Sequence, residues 1–283
     1  AEALARASEG FVPSGKPAAN RPEAPIPDRL GQRLDAMPQA VREIARSGVD
    51  QLVAYQDERY ALRFVERVER IAKAAVGRGG GMEDAVREAA RSLALWMAYD
   101  DIIHVASLKS RASRFARIRR EVSARDGEVV RVRDFLRPGR AEIAAILPRR
   151  AGEWLERGAR ARAGSKPAGV SLTLHTSSVA GMLAIRALAA LRPLRPLSLR
   201  FAREQAAIED WLALVERALA VHDANAALEL AKLPRLMRGY GETHAQGRAK
   251  FADRIGACRP VTASRATALE AAAARSGDAS SRA

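Results

Sequence analysis

The stretch VDQLVAYQDERYALRFVERVERIAKAAV, Val49 to Val76, decides the fold class. Ala61, Phe64, Val65, Val68, Ile71, Ala72 and Ala75 recur at spacings of three and four, with Arg63, Glu66, Arg67, Glu69 and Arg70 opposite. That period gives a helix one apolar and one charged face, so the stretch predicts an amphipathic helix. Gly77, opening the run GRGGG, ends it, because glycine takes the left-handed cap conformation without steric cost.

Outward from there the same period recurs. A second helix is expected from near Met82 through Val105, extending to Val122, with Val86, Leu93, Trp96, Met97 and Ile103 inward. Pro138 suits the first turn of a helix ending near Leu147, and GEWLERGARARA predicts a further basic one. Ser177 or Ser178 can cap a helix to Leu191, which the proline-rich LRPLRPLSL cannot continue. A long helix follows from Leu199 to Val221. Asp223 can cap the next, Ala224 to Leu233, and the Gly239-Tyr240-Gly241 turn leads to a last helix ending near Ile255. Two segments break the pattern: EVVRVRDF, Glu128 to Phe135, and SLTLHT, Ser171 to Thr176, alternate with period two as short half-buried strands do, and they can pair. The expected fold is mainly α, a helical domain with at most a small two-stranded β element.

Composition agrees. Of 283 residues 48% are hydrophobic, enough for a core, and only 5% are aromatic. A net charge of +15 invites an acidic partner such as nucleic acid, an anionic membrane or a phosphorylated ligand. Arginine-rich composition explains the same excess, but it is uneven: Lys109 to Arg162 holds 16 basic and 7 acidic residues. One cysteine, Cys258, excludes an internal disulfide, fits a reducing cytoplasm, and cannot by itself hold a [4Fe–4S] cluster, which takes about four thiolates. No apolar run reaches the roughly 18 residues that suggest a membrane span.

Motifs for chemistry are sparse. Asp100, Asp101 and His104 stand at helical spacings that can converge on a metal or a proton, but no second ligand motif follows, and pairing of Asp100 and Asp101 with arginines across helices is the favoured reading. GRGGGMED lacks the Gly-Lys-Ser/Thr ending of a phosphate loop and follows no strand. There is no GxSxG elbow, no histidine beside Cys258, and no Gly-Asp-Gly segment with the downstream Asn of a thiamine diphosphate site. Trp96, Trp154 and Trp211 are expected to anchor core or interface.

The segments ARSLALWMAYDDIIHVASLKSRASRF, Ala90 to Phe115, and LPRLMRGYGETHAQGRAKF, Leu233 to Phe251, carry a more specific signal. With VDQLVAYQDERYALRFVERV and SLRFAREQAAIEDWLALVERAL before them, they resemble the C-terminal, mainly helical region of the indolepyruvate ferredoxin oxidoreductase beta subunit. Enzymes of that 2-oxoacid ferredoxin oxidoreductase family oxidatively decarboxylate arylpyruvate to aryl-acetyl-CoA and reduce ferredoxin. The resemblance implies a bacterial, cytoplasmic accessory domain that is inactive alone. It places thiamine diphosphate, Mg and [4Fe–4S] clusters on an alpha-type partner subunit, makes CoA a co-substrate, and reaches ferredoxin through the complex. Lys109, Arg111 and Arg114 then read as a phosphate-binding face for CoA, and Tyr240 and His244 as contacts to CoA or substrate.

It also implies an organisation. Residues 1–28, with five prolines between Phe11 and Asp28, are expected to be a linker after a Rossmann-like gamma-type domain that is missing here. Residues 29–258 form the helical accessory domain, and the Ala/Ser-rich residues 259–283 a flexible tail. Self-association is a further expectation and a membrane is not expected. A basic helical module for nucleic acid or another polyanion is the alternative, weakened by few aromatics for base stacking. A pure oligomerisation domain is a third.

Overall fold

The fold, taken from a computed structural model, is described for residues 28–77, 81–136, 140–160, 172–237 and 246–258. The expected linker before Asp28, Pro138 and the tail after Cys258 lie outside them. The chain is mainly α with one two-stranded antiparallel sheet, as its periodicities predict.

The deciding stretch is two helices rather than one. Helices α1 (Asp28–Asp35) and α2 (Gln39–Tyr55) precede α3 (Glu58–Ala75). Asp57 breaks the run: its backbone is extended and its carboxylate accepts the Tyr60 amide at 2.8 Å, an N-cap that starts a new helix. The chain folds back there. A Cβ on Gly48 would stand 2.7 Å from the Phe64 ring, so the glycine is what lets α2 and α3 approach. Apolar phase runs on through the turn, from Leu52 and Tyr55 to Tyr60 and Phe64, and periodicity alone therefore hides it.

The second expected helix divides as well. Helix α4 (Met82–Met97) starts at Gly81 with φ +82°, α5 (Ile102–Lys109) is capped by Asp101, and α6 (Ala112–Glu121) follows Arg111. Strand β1 (Arg133–Leu136) comes next, then α7 (Arg140–Ile146), α8 (Arg149–Arg160) and β2 (Leu172–His175). Ser178 caps α9 (Val179–Ala190), Arg192–Leu197 forms a 3₁₀ segment, and α10 (Leu199–Ala220) follows. Asp223 caps α11 (Ala224–Lys232) as expected, a second 3₁₀ segment spans Leu233–Met237, and residues 246–258 form α12.

These elements make two layers. The main core lies among α1 to α4, α10, α11 and α12, where Phe64, Leu93, Ile208, Trp211 and Leu212 are fully buried. Each such side chain contributes about 1.5–3 kcal/mol by leaving water. Trp211 also satisfies its indole N–H on the Leu230 carbonyl at 2.8 Å. The outer layer holds α9 packed on α5 and the ribbon, where Arg133 pairs with His175 and Leu136 with Leu172. Only the end of EVVRVRDF is strand. Its inward positions run Val130, Val132, Asp134, with Arg131 and Arg133 outward, so the expected alternation holds and carries a carboxylate into the buried face while Phe135 is 73% exposed.

Trp96 and Trp211 sit in the core, 5.8 Å apart between ring centroids. Trp154 is 71% exposed on α8 and anchors no core.

Candidate functional site

The proposed phosphate face is best judged from the carboxylate it meets. Asp134, on β1, is buried among Lys109 from the end of α5, Arg114 from α6 and Thr176 just past β2. Lys109 Nζ donates to its Oδ1, Arg114 Nη2 reaches both oxygens at 3.0 and 3.1 Å, and the Thr176 hydroxyl donates to Oδ2 at 2.8 Å. Burial alone would raise the Asp134 pKa. The Lys109 and Thr176 hydrogen bonds and the two cations outweigh it and hold the carboxyl below its ordinary range.

Two of the five predicted ligand residues are therefore brought together, but on an internal anion. Arg111 occupies the N-cap position of α6, without a side-chain capping bond, at the break after Ser110, so Lys109 and Arg114 are not on one helix face. At that break the Ser110 hydroxyl donates to the Ser107 carbonyl at 2.9 Å. Tyr240 and His244 lie outside the described residues.

A second buried pair involves the Asp100–Asp101–His104 constellation. Asp101 accepts the His104 amide at 2.6 Å as the α5 cap, and it binds Arg195 through Nε at 2.6 Å and Nη2 at 3.2 Å. Arg195 further donates to the Tyr55 carbonyl at 2.9 Å and to Gln56 Oε1 at 2.7 Å, and its guanidinium lies 4.1 Å from the Tyr55 ring centroid. Gln56 donates in turn to the Arg192 carbonyl at 3.1 Å. Asp101 thus pairs with an arginine from a distant segment, as one of its two readings held. Burial pushes the Tyr55 phenol well above its ordinary value, with Tyr99 and Asp101 adding to the effect. Its hydroxyl donates to the Tyr99 carbonyl at 2.9 Å. Asp100, on the surface side, lies 4.0 Å from His104 Nε2, and burial raises its carboxyl pKa against the pull of Arg200.

A third cluster lines an open cleft of about 550 Å³ between α3 and α10. Arg67, placed on the charged face by its spacing, is buried: Nε donates to Glu209 at 2.8 Å and Nη2 to Gln205 at 2.8 Å. Arg70 binds Glu209 and Glu216 from the rim at 3.0 and 2.9 Å. Burial would raise the Glu209 pKa, but the charge and hydrogen bonds of Arg67 and Arg70 hold it down. Sequence reasoning missed Arg67, Gln205, Glu209 and Arg195. Arg195 alone left a trace, as one of two arginines in the otherwise apolar LRPLRPL.

Comparison with known proteins bears on what these clusters serve. A family model described as "Family of unknown function (DUF6537)" matches residues 41–257. The chain belongs to the DUF6537 family. No curated protein and no solved structure matches it significantly.

The DUF6537 match begins in α2 and ends in α12, so it takes in both layers and all three clusters. In this DUF6537 chain Arg195 balances Asp101, and Arg67 and Arg70 balance Glu209 and Glu216, while Lys109 and Arg114 share the one Asp134 carboxylate and keep a net positive charge; all three clusters join segments distant in sequence. Among the described residues no three His, Cys, Asp or Glu side chains converge as metal ligands. With Cys258 as its one thiol, the chain has a donor set that does not fit an iron–sulfur cluster.

Proposed function

We propose that this chain is the helical accessory domain of an indolepyruvate-type ferredoxin oxidoreductase, and that it acts in assembly rather than in chemistry. The resemblance over Ala90 to Phe115 and Leu233 to Phe251 supports the family assignment, and those two segments meet in space. Trp96 from the first packs edge-on against Phe251 from the second, with ring centroids 5.0 Å apart. The observation that carries the assembly role is the Asp134 joint. Lys109 Nζ and Arg114 Nη2, on the cations nearest in pattern to a CoA phosphate site, both donate to an internal carboxylate.

On this reading thiamine diphosphate, Mg and the [4Fe–4S] clusters belong to the alpha-type subunit, CoA reacts there, and electrons leave to ferredoxin through the complex. The cofactors supply carbanion stabilisation and electron removal; this chain supplies a rigid, largely self-satisfied surface. The test is arylpyruvate- and CoA-dependent reduction of a viologen dye by the thiamine/iron–sulfur subunit together with the full-length protein that carries this chain, with co-elution of the two followed in parallel. Deleting residues 29–258 is expected to abolish both the complex and turnover. An intact complex that has lost turnover would move the domain to substrate or CoA handling, and full activity without it would overturn the proposal.

A polyanion-binding module is the second reading, favoured by the exposed Arg120 on α6, Arg131 before β1 and Arg133 at its start. Affinity for nucleic acid that falls steeply with salt would support it.

A further inference from the structure

We propose that the concave face between α6 and α9 is a docking groove for an acidic amphipathic helix of a partner protein. Helix α9, VAGMLAIRALAA, carries one charged residue, Arg186, and a helix apolar on every side is ordinarily covered on every side. Here α5 packs against α9, and the only α9 residues fully out of solvent are Gly181 and Ile185. Val179 is 79% exposed and Leu183 62%. With Phe115 and Ile118 from α6, and Val130 and Val132 before β1, they line a groove of about 470 Å³. Apolar side chains one helical turn apart on a partner helix suit such a trough, whereas a lipid surface would suit a convex face better.

Charge selects the occupant. Arg119 and Arg186 stand among the lining residues. Arg119 is held in place by the carbonyls of Glu128 and Arg125, both at 2.7 Å, contacts that leave its positive charge in force. The excess of 16 basic over 7 acidic residues from Lys109 to Arg162 surrounds it in sequence. A second copy of this chain would set like-charged rims against each other across a two-fold axis. Acidic residues flanking an apolar stripe would instead meet complementary charge, and such complementarity gives specificity and rate of encounter. The proposal does not depend on the oxidoreductase assignment.

The test uses random 16-residue peptides displayed on phage, selected on the full chain and counter-screened on Leu183→Asp and Arg186→Glu. Both residues are exposed, so neither change removes core packing; thermal melting of each variant checks this. Enriched peptides are expected to carry apolar residues at i, i+3 or i+4 and i+7, an excess of Asp and Glu, and at least about tenfold weaker binding to each variant. No enriched peptides, peptides without acidic excess, or unchanged affinity for Leu183→Asp would overturn the proposal. So would Leu183-dependent sedimentation with phosphatidylserine vesicles, which assigns the face to a membrane, or Leu183-dependent dimerisation, which assigns it to a second copy.

Discussion

Asp134 holds two cations and a hydroxyl with one side chain, so its loss leaves more than one group unsatisfied. Asp134→Ala is expected to cost about 3 kcal/mol, because breaking a buried pair strands the charges it balanced. Urea unfolding measures it. The pH dependence follows from the depressed pKa: the contribution is complete above the unfolded carboxylate value of about 4 and is lost as pH falls through the lower folded value. The gap between the protein and Asp134→Asn is therefore expected to narrow only below about pH 4, and a gap unchanged at pH 2.5 would contradict the joint. The cations of this site were legible in the sequence and their partner was not. Asp134 lies 25 and 20 residues from Lys109 and Arg114, and nothing in the alternation of its segment says which cation it meets.

At the scale of elements, caps decided what periodicity left open. Ser178 and Asp223 stand at junctions where the apolar pattern also stops, and both were readable as caps. Asp57 and Asp101 cap helices inside runs whose apolar phase continues unbroken, and their helices were read as one with the helix before. Strand pairing was readable from period two, and so was the inward face at Val130 and Val132, but not that this face ends on the buried Asp134. The join between ribbon and α9 has its own steric requirement: a Cβ on Gly181 would stand 2.1 Å from the His175 carbonyl oxygen. Backbone cannot yield there as a flexible side chain would. Gly181→Ala is expected to destabilise by about 1–3 kcal/mol, seen as a lower urea midpoint, while the solvent-facing Gly158→Ala leaves it unchanged or higher.

Across the whole molecule the two layers differ in how much apolar surface they bury. Helix α6 has no buried residue and α9 has two, against ten in α4. Amide exchange is therefore expected to be fastest in α6 and at the solvent side of α9, and slowest in α3, α4 and α10. Equal protection throughout would show the layers to open together. One feature ties them regardless. Arg195 joins partners 94, 139 and 140 residues away along the chain, gripping Asp101, Gln56 and the Tyr55 carbonyl at once. Contacts between such remote segments close late, after the chain has met the entropy of large loops. A bond made after the barrier cannot speed its crossing; it acts on the way back. Arg195→Lys, which forfeits the planar fork, should thus leave refolding nearly unchanged in stopped-flow measurements and hasten unfolding by an order of magnitude or more. The latch then works as a clock for the native state: it sets how long the assembled surface persists before it must be rebuilt.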